Sequence, residues 1–79
     1  MASEEQREVP VVREDLDIRD LEDGMHILIS GDAIAEVVAN PHDGMWVMVR
    51  YLTSPEDPSK VGVEELVLWE DFRGVVAET

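Results

Sequence analysis

The chain has 79 residues, 19 Asp plus Glu against 6 Lys plus Arg, a formal net charge of -13 and no cysteine. This length makes one domain with a small core, because a chain this short buries only about 60% of its unfolded surface. That argues against a large enzyme cavity. The absence of cysteine excludes disulfides, thiolate metal sites and thiol nucleophiles. No apolar run approaches the ~20 residues a membrane helix needs. The start, Met1-Ala2-Ser3-Glu4-Glu5-Gln6, is acidic where a signal peptide is basic and then apolar, so the expected location is cytoplasmic.

The charge is uneven. Residues 1–23 hold nine acids against three bases, residues 24–53 three against one, and residues 54–79 seven against two. A nearly neutral, apolar middle between charged ends is the pattern of a compact sheet with solvated edges and a loose tail. So acidic a surface repels phosphate backbones and anionic lipid, which disfavours direct nucleic-acid or membrane binding and favours basic protein surfaces. General solubility, or adaptation to a salty cytoplasm, accounts for the same charge without any partner.

Residues 1–8 are polar and aperiodic and are expected to form a disordered acidic tail, leaving 9–79 as the domain. Val9-Pro10-Val11-Val12 suits a short edge strand, because Pro10 cannot donate a ladder hydrogen bond. Leu16, Ile18 and Leu21 do not fall on one helical stripe, so no more than one helical turn is expected before the Asp23-Gly24 turn. From Met25 the pattern is β: Met25, Ile27 and Ile29 share the inner face and His26 faces solvent. Gly31-Asp32 turns the chain into a second strand over Ile34 to Ala39, with Ala35, Val37 and Ala39 inward and Glu36 outward. Asn40-Pro41-His42-Asp43-Gly44 then carries the clearest hairpin signal in the chain.

Met45 to Leu52 is the third strand. Its only charge, Arg50, sets the register: Trp46, Met48 and Leu52 go outward, while Met45, Val47, Val49 and Tyr51 go inward. Both faces are apolar, so either the chain wraps this strand or a partner covers it. Thr53 to Ser59 forms a polar loop with two prolines. Val61 to Trp69 reads as a strand in preference to a helix, with Trp69 placed in the core. Glu70-Asp71 then turns the chain, Phe72 re-enters the core, and Gly74 to Ala77 forms a last strand.

Gly24-Met25-His26-Ile27-Leu28-Ile29-Ser30-Gly31-Asp32, Ala33 to Val38, and Gly44 to Tyr51 together resemble the SH3-like and KOW-type barrels. Those folds repeat an apolar strand, a Gly turn, a Val-rich strand and a hairpin in this order. The likeness spans about residues 21–76 and implies a mostly β, five-stranded SH3-like barrel of the kind used as an interaction module or accessory domain. Two departures mark it: Ala35 or Glu36 stands where a KOW element has a second glycine, and the chain is acidic where nucleic-acid-binding members are basic.

No catalytic or metal constellation emerges. His26 and His42 lack helix-spaced partners, and His42-Asp43 has no nucleophile to serve. Glu64-Glu65 and Glu70-Asp71 lack the spacing of a calcium loop. No cofactor is expected and no enzyme activity. The expected function is a protein-interaction or regulatory module whose contacts come from Trp46, Met48, Leu52 and Trp69, toward a protein with a basic surface or a second copy of the chain. Two alternatives stand beside it. One is a DNA mimic in which Glu64, Glu65, Glu70 and Asp71 imitate phosphates; the other is a small accessory subunit or ligand-binding barrel.

Overall fold

Alternation of large apolar residues with polar or smaller ones writes most of the chain as strands, and the computed structural model, which describes residues 11–13 and 16–77, bears this out. The strands are β1 Val11–Arg13, β2 His26–Ile29, β3 Ala33–Ala39, β4 Trp46–Thr53, β5 Glu64–Leu68 and β6 Phe72–Ala77. They form one antiparallel sheet in the order β1-β6-β2-β3-β4-β5. Five strands carry the sheet, and the three-residue β1 extends it beyond β6. The expected tail over 1–8, and Val9 and Pro10 of the expected edge strand, lie outside the described residues.

The connections force the sheet to curl. β5 and β6 stand four strand spacings apart in the sheet order, ~19 Å if the sheet were flat at ~4.8 Å per spacing. Yet only the 3-10 turn Trp69–Asp71 joins them, and three residues span at most about 14 Å even when extended. A flat sheet is therefore excluded, and the strands roll until the two ends approach. Register shifts at Leu28/Ile29, Ile34/Ala35 and Val37/Ala39 supply the bends. No ladder joins β5 to β6 or β1 among the described residues, so the rolled sheet stays open along β5.

The roll encloses a core of small and β-branched side chains. Ile27 and Ile29 of β2, Ala33, Ala35 and Val37 of β3, and Val47, Val49 and Tyr51 of β4 are buried, with Val67 and Val75 from β5 and β6. Each buried Val or Ile contributes about 1.5–3 kcal/mol over an exposed one. Ile18 and Leu21, on and just after the 3-10 turn Ile18–Asp20, close one side of this core. Asn40 holds that segment down: its Nδ2 donates to the Ile18 carbonyl at 3.1 Å and the Leu21 carbonyl at 2.7 Å, while its Oδ1 accepts from the His42 N–H at 2.8 Å.

Three expected positions are corrected. Ala39 is exposed because the irregularity between Val37 and Ala39 breaks the alternation that carried it inward. Met45 is 54% exposed because it precedes β4, in a turn where its N–H donates to Asp43 Oδ1 at 3.0 Å. Trp69 leaves the core, 55% exposed, because Val67 takes the inner position and the chain turns two residues later. Phe72 is half-buried against the core.

Candidate interaction surface

In an antiparallel sheet, residues directly opposite each other share a face. The register therefore draws one charged row across four strands of the outer face: His26 opposite Glu36, Glu36 opposite Arg50, and Arg50 opposite Glu64. Arg50 sits between two carboxylates, 2.6 Å from Glu64 and 3.9 Å from Glu36. An exposed pair of this kind contributes about 1 kcal/mol or less. Its larger effect is on pattern, because it divides the apolar residues of the outer face into two groups.

On one side of the row, Met48 stands opposite Leu66 and Trp46 opposite Leu68. Trp46 and Met48 are half-buried; Leu66 is 46% and Leu68 43% exposed. The ladder ends where the Trp69 N–H donates to the Met45 carbonyl at 2.9 Å, and both of those side chains are exposed. On the other side of the row lies Leu52, half-buried and separated from Trp46 and Met48 by Arg50. The three residues expected to act together on β4 thus fall into two groups. Leu66 and Leu68 join the first, together with Met45; Val61 and Val63 lead into β5 and are also exposed.

The four acidic candidates do not form one surface. Glu64 and Glu65 point to opposite faces of β5, Glu64 to Arg50 and Glu65 to Lys60, whose Nζ lies 3.0 Å from Glu65 Oε1. Glu70 and Asp71 sit on the turn after β5, where Asp71 Oδ1 accepts the Ser30 hydroxyl at 3.2 Å and the Glu70 carbonyl accepts Arg73 at 2.9 Å.

Lys60, Glu65 and Tyr51 form a small coupled group. Lys60 Nζ also stands 5.2 Å from the centre of the Tyr51 ring. Burial, and then hydrogen bonding to Glu65, push the Tyr51 hydroxyl above its ordinary 10.0. The hydrogen bond from Lys60 holds the Glu65 carboxyl below its usual range, and the same bond raises Lys60. His42 is exposed in the hairpin, with Nδ1 3.0 Å from the Arg19 carbonyl, and His26 is half-buried on the outer face.

Among the described residues no group of three His, Asp or Glu side chains could hold a metal ion, and no helix is long and apolar enough to cross a membrane. No protein-family model, curated protein or solved structure matches the chain.

Proposed function

We propose that this chain is a non-enzymatic protein-interaction module built on an SH3-like barrel, and that it holds its partner through the outer face of β4 and β5. One observation carries the reading. Four of the six large apolar side chains among the described residues that are 43% to 55% exposed, Met45, Leu66, Leu68 and Trp69, gather at the end of the β4–β5 ladder that carries Trp46 and Met48, while Val61 and Val63 lie beyond the Arg50–Glu64 pair. Scattered surface hydrophobes are ordinary, whereas a contiguous set beside an open sheet edge is the signature of a contact surface. The half-buried Trp46 and the exposed Trp69 supply the residue type that most often anchors binding energy.

The partner's chemistry follows from the surroundings. A net charge of -13 around an apolar centre selects an apolar patch rimmed by Lys and Arg, with the charge setting encounter rate and the apolar contact setting lifetime. The rolled sheet joined by a 3-10 turn to its last strand supports the SH3-like reading; the fold by itself does not carry the function, and the site does.

The test is capture from lysate of the source cells at ~0.1 M and ~0.5 M salt, a range over which exposed charge pairs become screened. A partner that persists at high salt with the native chain and is lost with Trp46→Glu and Leu66→Glu, both folded by circular dichroism, is the expected result. Binding that vanishes at high salt, competes with DNA and ignores both substitutions would replace this reading with DNA mimicry.

A further inference from the structure

The sheet ends on the three-residue β1 at one edge and on β5, Glu64–Leu68, at the other. An edge strand turns alternate backbone N–H and C=O groups away from its neighbour, and proteins ordinarily protect such a row with Pro, Lys, a bulge or brevity. β5 has no Pro, Lys or Gly, and it pairs with β4 residue for residue from Glu64 opposite Arg50 to Leu68 opposite Trp46.

The ladder decides which groups face the edge. In an antiparallel pair, positions that bond to the neighbour alternate with positions that do not. The Trp69 N–H donates to the Met45 carbonyl at 2.9 Å and the Tyr51 N–H to the Val63 carbonyl at 3.0 Å, so Val63, Glu65, Val67 and Trp69 are the positions that bond to β4. The N–H and C=O groups of Glu64, Leu66 and Leu68 therefore point to the open edge, where no strand pairs with them among the described residues. The side chains of the same three residues stand on the outer face. One row thus combines unfilled backbone groups, two exposed leucines and a carboxylate at its end.

Two patterns on that face specify what completes the row. Leu66 and Leu68 carry the apolar pairs Met48–Leu66 and Trp46–Leu68 out to the edge. The charges alternate in sign across the strands, Glu36, Arg50, Glu64, and stop at the edge with two carboxylates for one guanidinium. A strand that continues both patterns carries apolar side chains opposite Leu68 and Leu66 and a cation opposite Glu64. A second copy of β5 does not: with Leu66 on the two-fold axis each Glu64 falls opposite a Leu68, and two chains of net charge -13 repel each other.

We propose that β5 accepts an extended segment of a partner protein as an added strand, antiparallel like every other pair in the sheet, with the pattern apolar, any residue, apolar, any residue, Lys or Arg. Backbone hydrogen bonds to Glu64, Leu66 and Leu68 hold the segment, and its alternate side chains give specificity. The inference rests on the outer-face reading above and specifies how the partner reaches that face.

The probe is the blocked peptide Ser-Val-Thr-Val-Thr-Lys-Ser, titrated into the full chain and followed by amide hydrogen exchange and amide nitrogen–proton spectra. In the free chain the Leu66 and Leu68 N–H groups should exchange fast and those of Glu65 and Val67 slowly; saturating peptide should slow Leu66 and Leu68. Methylating the nitrogen of the peptide's second Val, which meets Leu66, should weaken binding about tenfold. Methylating the Thr that follows it, whose N–H points away from β5, should change little. Glu in place of the peptide's Lys should weaken binding severalfold at ~0.05 M salt and little at ~0.5 M. Saturable shifts at Trp46 and Met48 with Leu66 and Leu68 still exchanging fast, or equal losses from the two methylations, would overturn strand addition and leave the outer-face surface standing. Slow Leu66 and Leu68 amides in the free chain would also overturn it, a monomer by sedimentation assigning the edge to a segment of the chain itself and a dimer to a second copy. Absence of any saturable shift overturns it as well, while the outer-face reading is judged separately, by whether Trp46→Glu and Leu66→Glu lose the captured partner.

Discussion

From Trp46 to Val49 the two faces of β4 reverse the usual order of size. Inward it carries Val47 and Val49, both fully buried, and outward it carries the larger Trp46 and Met48, only half-buried. The interior of the rolled sheet is filled mostly by Val, Ile and Ala, with Tyr51 its one buried aromatic among the described residues. Trp46 and Met48 of β4 and Leu66 and Leu68 of β5 stay on the outer face and remain available for contact.

The sharpest way to break this comparison is to place the same charge on adjacent residues. Val49→Asp buries an unpaired carboxylate in the core and is expected to abolish folding, read as loss of the β circular dichroism signal and of chemical-shift dispersion. Met48→Asp, one residue away on the outer face, is expected to shift stability by about 1 kcal/mol or less. If both variants unfold, the outer face belongs to the core and the contrast fails.

Asn40→Ala removes two hydrogen bonds that join the hairpin to the Ile18–Leu21 segment and a third within the hairpin, leaving the Ile18 and Leu21 carbonyls without the Asn40 donor. The expected cost is about 1–3 kcal/mol, visible as a lower urea midpoint with an unchanged slope. A change under the error of the extrapolation would mean that burial of Ile18 and Leu21 holds the segment unaided.

The smallest effect is on pH dependence. The raised Tyr51 and Lys60 contribute stability that is complete below their ordinary values of 10.0 and 10.5 and is lost as pH rises through their folded values. The lowered Glu65 contributes stability that is complete above its ordinary 4.5 and is lost as pH falls through its folded value. Thermal midpoints should therefore decline on both flanks, and Glu65→Gln should flatten both declines because Glu65 acts on all three groups. Superimposable curves for the two proteins would show that the coupling has no thermodynamic weight.

Much of this architecture is legible in the chain itself. Alternation around Ile27 and Ile29, the turn formers from Asn40 to Gly44, and the lone Arg50 place three strands and their inner faces. Failures occur where a neighbour, not the local pattern, sets the orientation. In Leu66-Val67-Leu68-Trp69 four apolar residues in a row contain no polar marker, so only pairing with β4 shows that Val67 points in and Leu66 and Leu68 point out. Pairing Glu64 with Arg50 by charge would have fixed that register. Ala39 and Met45 fail for a related reason, since an irregular ladder and a turn interrupt the period of two.

That roll also imposes an order in time. β2 takes β3 as one neighbour as soon as the next strand exists, but its other neighbour is β6, three strands later than β3. While the protein is being synthesised, the hairpin of β3 and β4 can assemble early, whereas the second edge of β2 waits until Phe72–Ala77 have left the ribosome. A chain truncated before Phe72 would keep its hairpins and lose its closure, exposing Ile27 and Ile29 to whatever strand arrives first.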